Sequence, residues 1–123
     1  MSNLFKVGMS VIVKKGIVDP DDNKTNIGGW CGRITEIDHD YILIEWDSVT
    51  LQNISFMKIC FIEDIGLDWS KMYLVEEDIE QCEPRDTFRD VSVAVSIIND
   101  KLMKLNVFIR IALFVKRHFC INK

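Results

Sequence analysis

Carboxylates, aromatics, four cysteines and two histidines are the side chains here that could do chemistry, and the spacing of each set decides which chemistry. Asp19, Asp21 and Asp22 crowd the segment Asp19-Pro20-Asp21-Asp22-Asn23, with oxygen donors at the first, third and fifth places, like the opening of a calcium loop. The pattern then fails: Lys24 stands where such a loop needs glycine, and Trp30 where it needs a bidentate glutamate. The segment reads as a solvated turn, and no metal site is expected. Cys31, Cys60, Cys82 and Cys120 form no C-x-x-C pair, which argues against a zinc ribbon or a redox dithiol. They read as reduced thiols of a cytoplasmic protein. The first eleven residues lack the apolar run of a secretory leader. His39 and His118 have no partner at a catalytic spacing, and no Gly-rich phosphate loop, HExxH or GxSxG occurs. The expectation is a protein that is not an enzyme, with no catalytic residue and no cofactor.

What remains is recognition. Trp30, Tyr41 and Trp46 lie in the same half of the chain as Asp19, Asp21, Asp22 and Asp47. An aromatic rim with carboxylates beside it suits a cationic or proline-containing peptide, through the ring faces and the opposite charge. Trp46 sits on an alternating strand and fits a core equally well; Trp30 follows two glycines and fits either place. Residues 1–62 carry six bases against eight acids, within a net charge of -4. A surface that tracks phosphates should be net positive, so nucleic acid is the unlikelier ligand.

These side chains need a scaffold of short strands. Val7, Met9, Val11 and Val13 alternate with more polar positions, the period of a half-buried strand within 5–18. Residues 19–29 read as a loop, 30–37 as a second strand, 38–40 as a tight turn and 41–46 as a third strand. A fourth strand is expected over 49–54, with Val49 and Leu51 on one face, and a short fifth piece over 57–62 that closes a barrel. Ile34, Ile37, Ile42, Ile44 and Trp46 supply its core.

The texture then changes. Residues 63–90 hold ten acids against three bases. A one- or two-turn helix is expected near 67–72 and an extended piece near 73–75. Pro84 breaks the chain, and Asp86 or Thr87 can cap a helix. Apolar residues at 88, 91, 95, 98, 102, 105 and 109 step by three and four, which predicts a helix over 87–118 despite a competing period of two in 91–97. Residues 105–115 are apolar on almost every side but too short to span a bilayer, which needs about twenty. The organisation is therefore 1–62 barrel, 63–86 acidic connecting segment and 87–123 helical tail. The tail packs on the barrel or on a second chain, and a homodimer through 104–123 would hide its apolar sides.

The run Gly8-Met9-Ser10-Val11-Ile12-Val13, followed by Gly29-Trp30-Cys31-Gly32-Arg33-Ile34-Thr35-Glu36-Ile37, resembles the small SH3-like barrels. Its second half is similar to the Gly-x-x-Gly-x-Ile core of a KOW motif. Tyr41-Ile42-Leu43-Ile44-Glu45-Trp46-Asp47 is similar to a strand of Tudor-like and Mib/Herc2 domains. The resemblance covers residues 5–54 and is of an uncharacterised bacterial type. It implies a mainly β fold with a C-terminal helix and a non-catalytic module that binds a protein or peptide through the barrel rim. The KOW likeness implies, as the alternative, a nucleic-acid-associated accessory protein; an accessory subunit of an enzyme is a third reading. Gly29 and Gly32 are expected to mark positive φ or a close approach of strands.

Overall fold

The computed structural model describes residues 4–119 as a mixed fold of antiparallel strands and a long C-terminal helix. The strands are β1 (Ser10–Val13), β2 (Val18–Asp19), β3 (Asp22–Asn26), β4 (Cys31–Asp38), β5 (Tyr41–Trp46), β6 (Lys71–Val75) and β7 (Ile79–Gln81). The helices are α1 (Ser48–Asn53), α2 (Phe56–Asp64) and α3 (Phe88–Phe119). Five strands form one sheet in the order β6-β5-β4-β1-β7, and β2 pairs with β3 as a separate hairpin inside the segment expected to be plain loop. The last strand returns to the first, since β1 pairs with both β4 and β7. Among the described residues β6 and β7 do not pair with each other, so the sheet is open where a closed barrel was expected.

Two expected strands are helices. Residues 49–53 belong to α1 and Ile54 is its C-cap, because the Asp47 carboxylate accepts the Thr50 N–H at 2.8 Å and caps a first turn that local alternation had hidden. Residues 57–62 belong to α2, capped by Ser55, whose hydroxyl accepts the Lys58 N–H at 3.1 Å. Both helices lie between β5 and β6. The helix expected near 67–72 is absent: Gly66, with φ +83°, ends α2. Asp68 then accepts the Ser70 N–H at 2.8 Å in a tight turn, and β6 starts at Lys71.

The inner face of the sheet carries Val11, Val13, Ile34, Ile42, Ile44, Trp46 and Leu74, all buried. A bulge between Ile34 and Glu36 shifts the β4–β5 register and sets Ile37 opposite Ile42. Ile37 is nevertheless 40 % exposed, one residue from the end of β4 and not in the core as expected. Gly32 is there for close approach: a Cβ on it would stand 2.3 Å from the Glu45 carbonyl oxygen. Gly29 turns the chain into β4 at φ +87°.

Helix α3 begins with a reciprocal cap, Thr87 N–H to Asp90 and Asp90 N–H to the Thr87 hydroxyl. Its apolar register places Ala94, Ile98 and Leu102 in the core, with Val91 and Val95 packed beside them. The expected helix over 87–118 thus spans 88–119. Farther along, Val107, Phe108, Ile109, Ile111 and Val115 are exposed on the single chain. No helix of the described residues is long and apolar enough to cross a membrane.

Candidate functional site: an aromatic and acidic cleft along β6

Trp30 precedes β4 because Gly28 and Gly29 let the chain reverse; the Trp30 N–H then closes the turn onto the Ile27 carbonyl at 3.0 Å. Its ring meets Trp46 edge to face, with centroids 5.2 Å apart at 88°. Trp46 is 1 % exposed and belongs to the core, yet one side of it forms the floor of a cleft of about 440 Å³. Trp30 and Tyr41 line the same cleft, and Tyr41 is exposed. The wall opposite is the β2–β3 turn, with Asp19, Pro20 and Asp21. The β6 side contributes Lys71, Met72 and Tyr73, and the turn before it contributes Leu67, Asp68 and Trp69.

Tyr41 and Trp46 bound β5 at its two ends, and both line the cleft. Of β6, Lys71, Met72 and Tyr73 line the cleft, so it follows the first three residues of that strand. Its lining carries the carboxylates Asp19, Asp21 and Asp68 against the single cation Lys71. Burial pushes the Asp19 carboxyl above the ordinary aspartate value, partly opposed by the Asp21 N–H that it accepts at 2.8 Å. Tyr73 donates to Glu36 at 2.9 Å, and this bond holds its phenol above the ordinary tyrosine value. An apolar, aromatic trough with a carboxylate rim offers ring faces and counter-charge to an organic cation.

Two residues expected at this site lie elsewhere. Asp22 faces Lys58 and Thr25, which donate to it or bridge it at 3.1 and 2.8 Å; the Thr25 hydrogen bond first, then Lys58, lowers its pKa. Asp47 is buried in a polar cluster behind the sheet. There it caps α1 and accepts two bonds from Arg85, at 2.9 and 2.8 Å. Thr50 ties that cluster to β4 by accepting the Cys31 N–H at 2.9 Å and donating to the Cys31 carbonyl at 3.1 Å. Next to it Arg33 pairs with Asp86 at 2.8 Å, with side chains 9 % and 3 % exposed, while Asp86 also accepts the Ser48 N–H at 2.7 Å. This cluster is structural: it pins the chain just before α3 to α1 and β4.

Leu67, Trp69, Met72 and Tyr73 were not picked out from sequence as cleft residues. The available signal was four aromatic or large apolar residues within an acidic stretch, a pattern more suited to a packed surface than to a linker. Among the described residues no three His, Cys, Asp or Glu side chains are grouped to hold a metal ion. Comparisons of the chain with protein-family models, curated sequences and solved structures find no match.

Proposed function

We propose that this chain is a non-catalytic binding module whose cleft along β6 recognises a cationic segment of a protein or peptide partner. The observation that carries the reading is one cleft of about 440 Å³ whose lining gathers Trp30, Trp46, Tyr41 and Tyr73 with Asp19, Asp21 and Asp68.

Tyr41 and Asp21 are both exposed, so they can be changed without loss of core packing. Titration of the chain with oligolysine at low salt, followed by tryptophan fluorescence, is expected to saturate. The double variant Tyr41→Ala/Asp21→Asn should weaken it by about tenfold, from one cation–ring contact and one exposed ion pair. Unchanged affinity in the variant, or tighter binding of a single-stranded oligonucleotide than of oligolysine, would overturn the proposal.

The exposed half of α3 supports a second contact, with another copy of this chain. Residues 104–123 carry five bases and no acid, whereas residues 63–90 carry ten acids against three bases. The tail of one copy therefore complements the acidic stretch of the other in charge, and its apolar sides gain cover in the same step.

A further inference from the structure

The edge strand β6 has backbone groups to spare. The Trp46 N–H donates to the Ser70 carbonyl at 2.9 Å, which sets the phase of the β5–β6 ladder. In an antiparallel pair, alternate residues turn both backbone groups to the partner strand. Ser70, Met72 and Leu74 face β5, so Lys71 and Tyr73 direct their N–H and C=O groups away from the sheet. Among the described residues no strand pairs with that side of β6.

The open edge borders the cleft itself, since Lys71, Met72 and Tyr73 line it. Natural edges are usually blunted by proline, a bulge or a covering element. β6 contains no proline and its pairing with β5 runs without a register shift, so only Lys71 tempers it. Asp19 and Asp21 line the same cleft as the edge residues Lys71 and Tyr73.

We infer that the partner segment binds as an added strand: it extends the sheet antiparallel or parallel to β6 through the outward groups of Lys71 and Tyr73, with lysine or arginine side chains turned to the Asp19–Asp21 wall. This rests on the cleft reading above and specifies the partner as an extended, β-competent, basic peptide. Backbone pairing supplies affinity without sequence demands, and alternate side chains, which fall on one face, meet the acidic wall.

The probe is a peptide of about eight residues alternating lysine and threonine, longer than the five residues of β6 that it must pair with, compared with the same peptide N-methylated at every amide. Both carry the same charges and side chains, but the second cannot form a ladder. Binding to the full chain is followed by calorimetry, and exchange of the Lys71 and Tyr73 amide protons by NMR. The expected result is binding of the first peptide with slowed exchange at Lys71 and Tyr73, and at least about tenfold weaker binding of the second, as for the loss of one or two net hydrogen bonds. Equal binding of both peptides with unchanged exchange at Lys71 and Tyr73 would overturn strand addition and leave the cation-binding cleft standing. Binding of neither would overturn both.

Discussion

The change Asp86→Asn should cost this protein about 2–4 kcal/mol, far more than a one-atom substitution suggests. Asp86 and Arg33 are side chains only 3 % and 9 % exposed, at 2.8 Å. Asparagine keeps an acceptor for the Ser48 N–H, and the Arg33 guanidinium keeps its bond to the residue 86 carbonyl and its place 4.7 Å from the centre of the Phe88 ring. With the asparagine oxygen on Ser48, its amide N–H2 replaces the oxygen that faces Arg33, so both the counter-charge and that acceptor are lost and Arg33 becomes a buried, uncompensated cation. Removing one partner of such a pair costs about 3–5 kcal/mol, and the retained ring contact offsets about 0.5–1 kcal/mol. Arg33→Met together with Asp86→Asn leaves no buried charge at all and should cost less than the sum of the two single changes by about 2 kcal/mol. Urea unfolding followed by the fluorescence of the buried Trp46 and Trp69 measures each corner of the cycle. The pH dependence gives a second check. Burial alone would raise the Asp86 pKa, but the Ser48 hydrogen bonds and Arg33 outweigh it and hold it below the ordinary value of 3.8. A carboxyl depressed in the folded state stabilises above its unfolded pKa, and that contribution is lost as the pH falls through the folded value. The wild-type chain should therefore shed this part of its stability below about pH 4, and the Asp86→Asn chain should not. A single-variant cost under about 1 kcal/mol, or additivity within about 0.5 kcal/mol, would refute the account.

Three further outcomes are expected. Gly32→Ala drives a Cβ to 2.3 Å from the Glu45 carbonyl oxygen, where two strands meet, and should cost at least about 1–3 kcal/mol in thermal unfolding; an unchanged midpoint would show that the strands do not approach so closely. Burial pushes the Cys31 thiol up to about 11, so in the native chain at neutral pH it should resist alkylation by iodoacetamide and react only on unfolding, as peptide mapping would show. Rapid native labelling at Cys31 would contradict its buried place. Sedimentation at micromolar concentration should show a dimer that removal of residues 104–123 turns into a folded monomer, and a full-length monomer would refute the contact between copies.

Where one period dominated, the sequence was legible. Ile42, Ile44 and Trp46 are buried because β5 alternates cleanly with one face on the core, and Ile34 is buried in β4, whose first four residues are all covered. The 91, 95, 98, 102 register of α3 was legible because it persists for many turns without glycine or proline, and that outlasts the local alternation of 91–97. Residues 49–54 were not legible from period, since Val49 and Leu51 satisfy period two while Thr50, Leu51 and Ile54 satisfy a helix face. The deciding fact was a side chain outside the segment, the cap made by Asp47. Of the residues singled out for binding, Asp19, Asp21, Trp30, Tyr41 and Trp46 share the cleft because the β2–β3 hairpin folds toward the end of β5. Asp47 and Asp22 do not, because each has a cation of its own at hand, Arg85 and Lys58. That choice of partner is long-range, and no local pattern records it.

The acidic stretch repays a finer division than its charge total allows. Glu63 accepts the indole N–H of Trp69 at 3.0 Å, Asp68 closes the turn into β6, Asp86 is buried against Arg33, and Asp90 caps α3. Each of these acids meets a donor that folding brings to it. Glu77, Glu80 and Glu83 remain exposed. The stretch also supplies both outer strands of the sheet, β6 and β7. Glu77 precedes β7, Glu80 lies on it and Glu83 follows it, so the carboxylates left in surplus after the internal donors are used lie along the segment that continues from β6. A strand added to β6 would meet that surplus before any contact forms, and like-charged segments would be repelled at the same range. Selection for a basic partner thus begins with the field of the stretch and ends in the cleft. The rate of association with a lysine-rich peptide should accordingly fall with salt more steeply than the rate of dissociation rises.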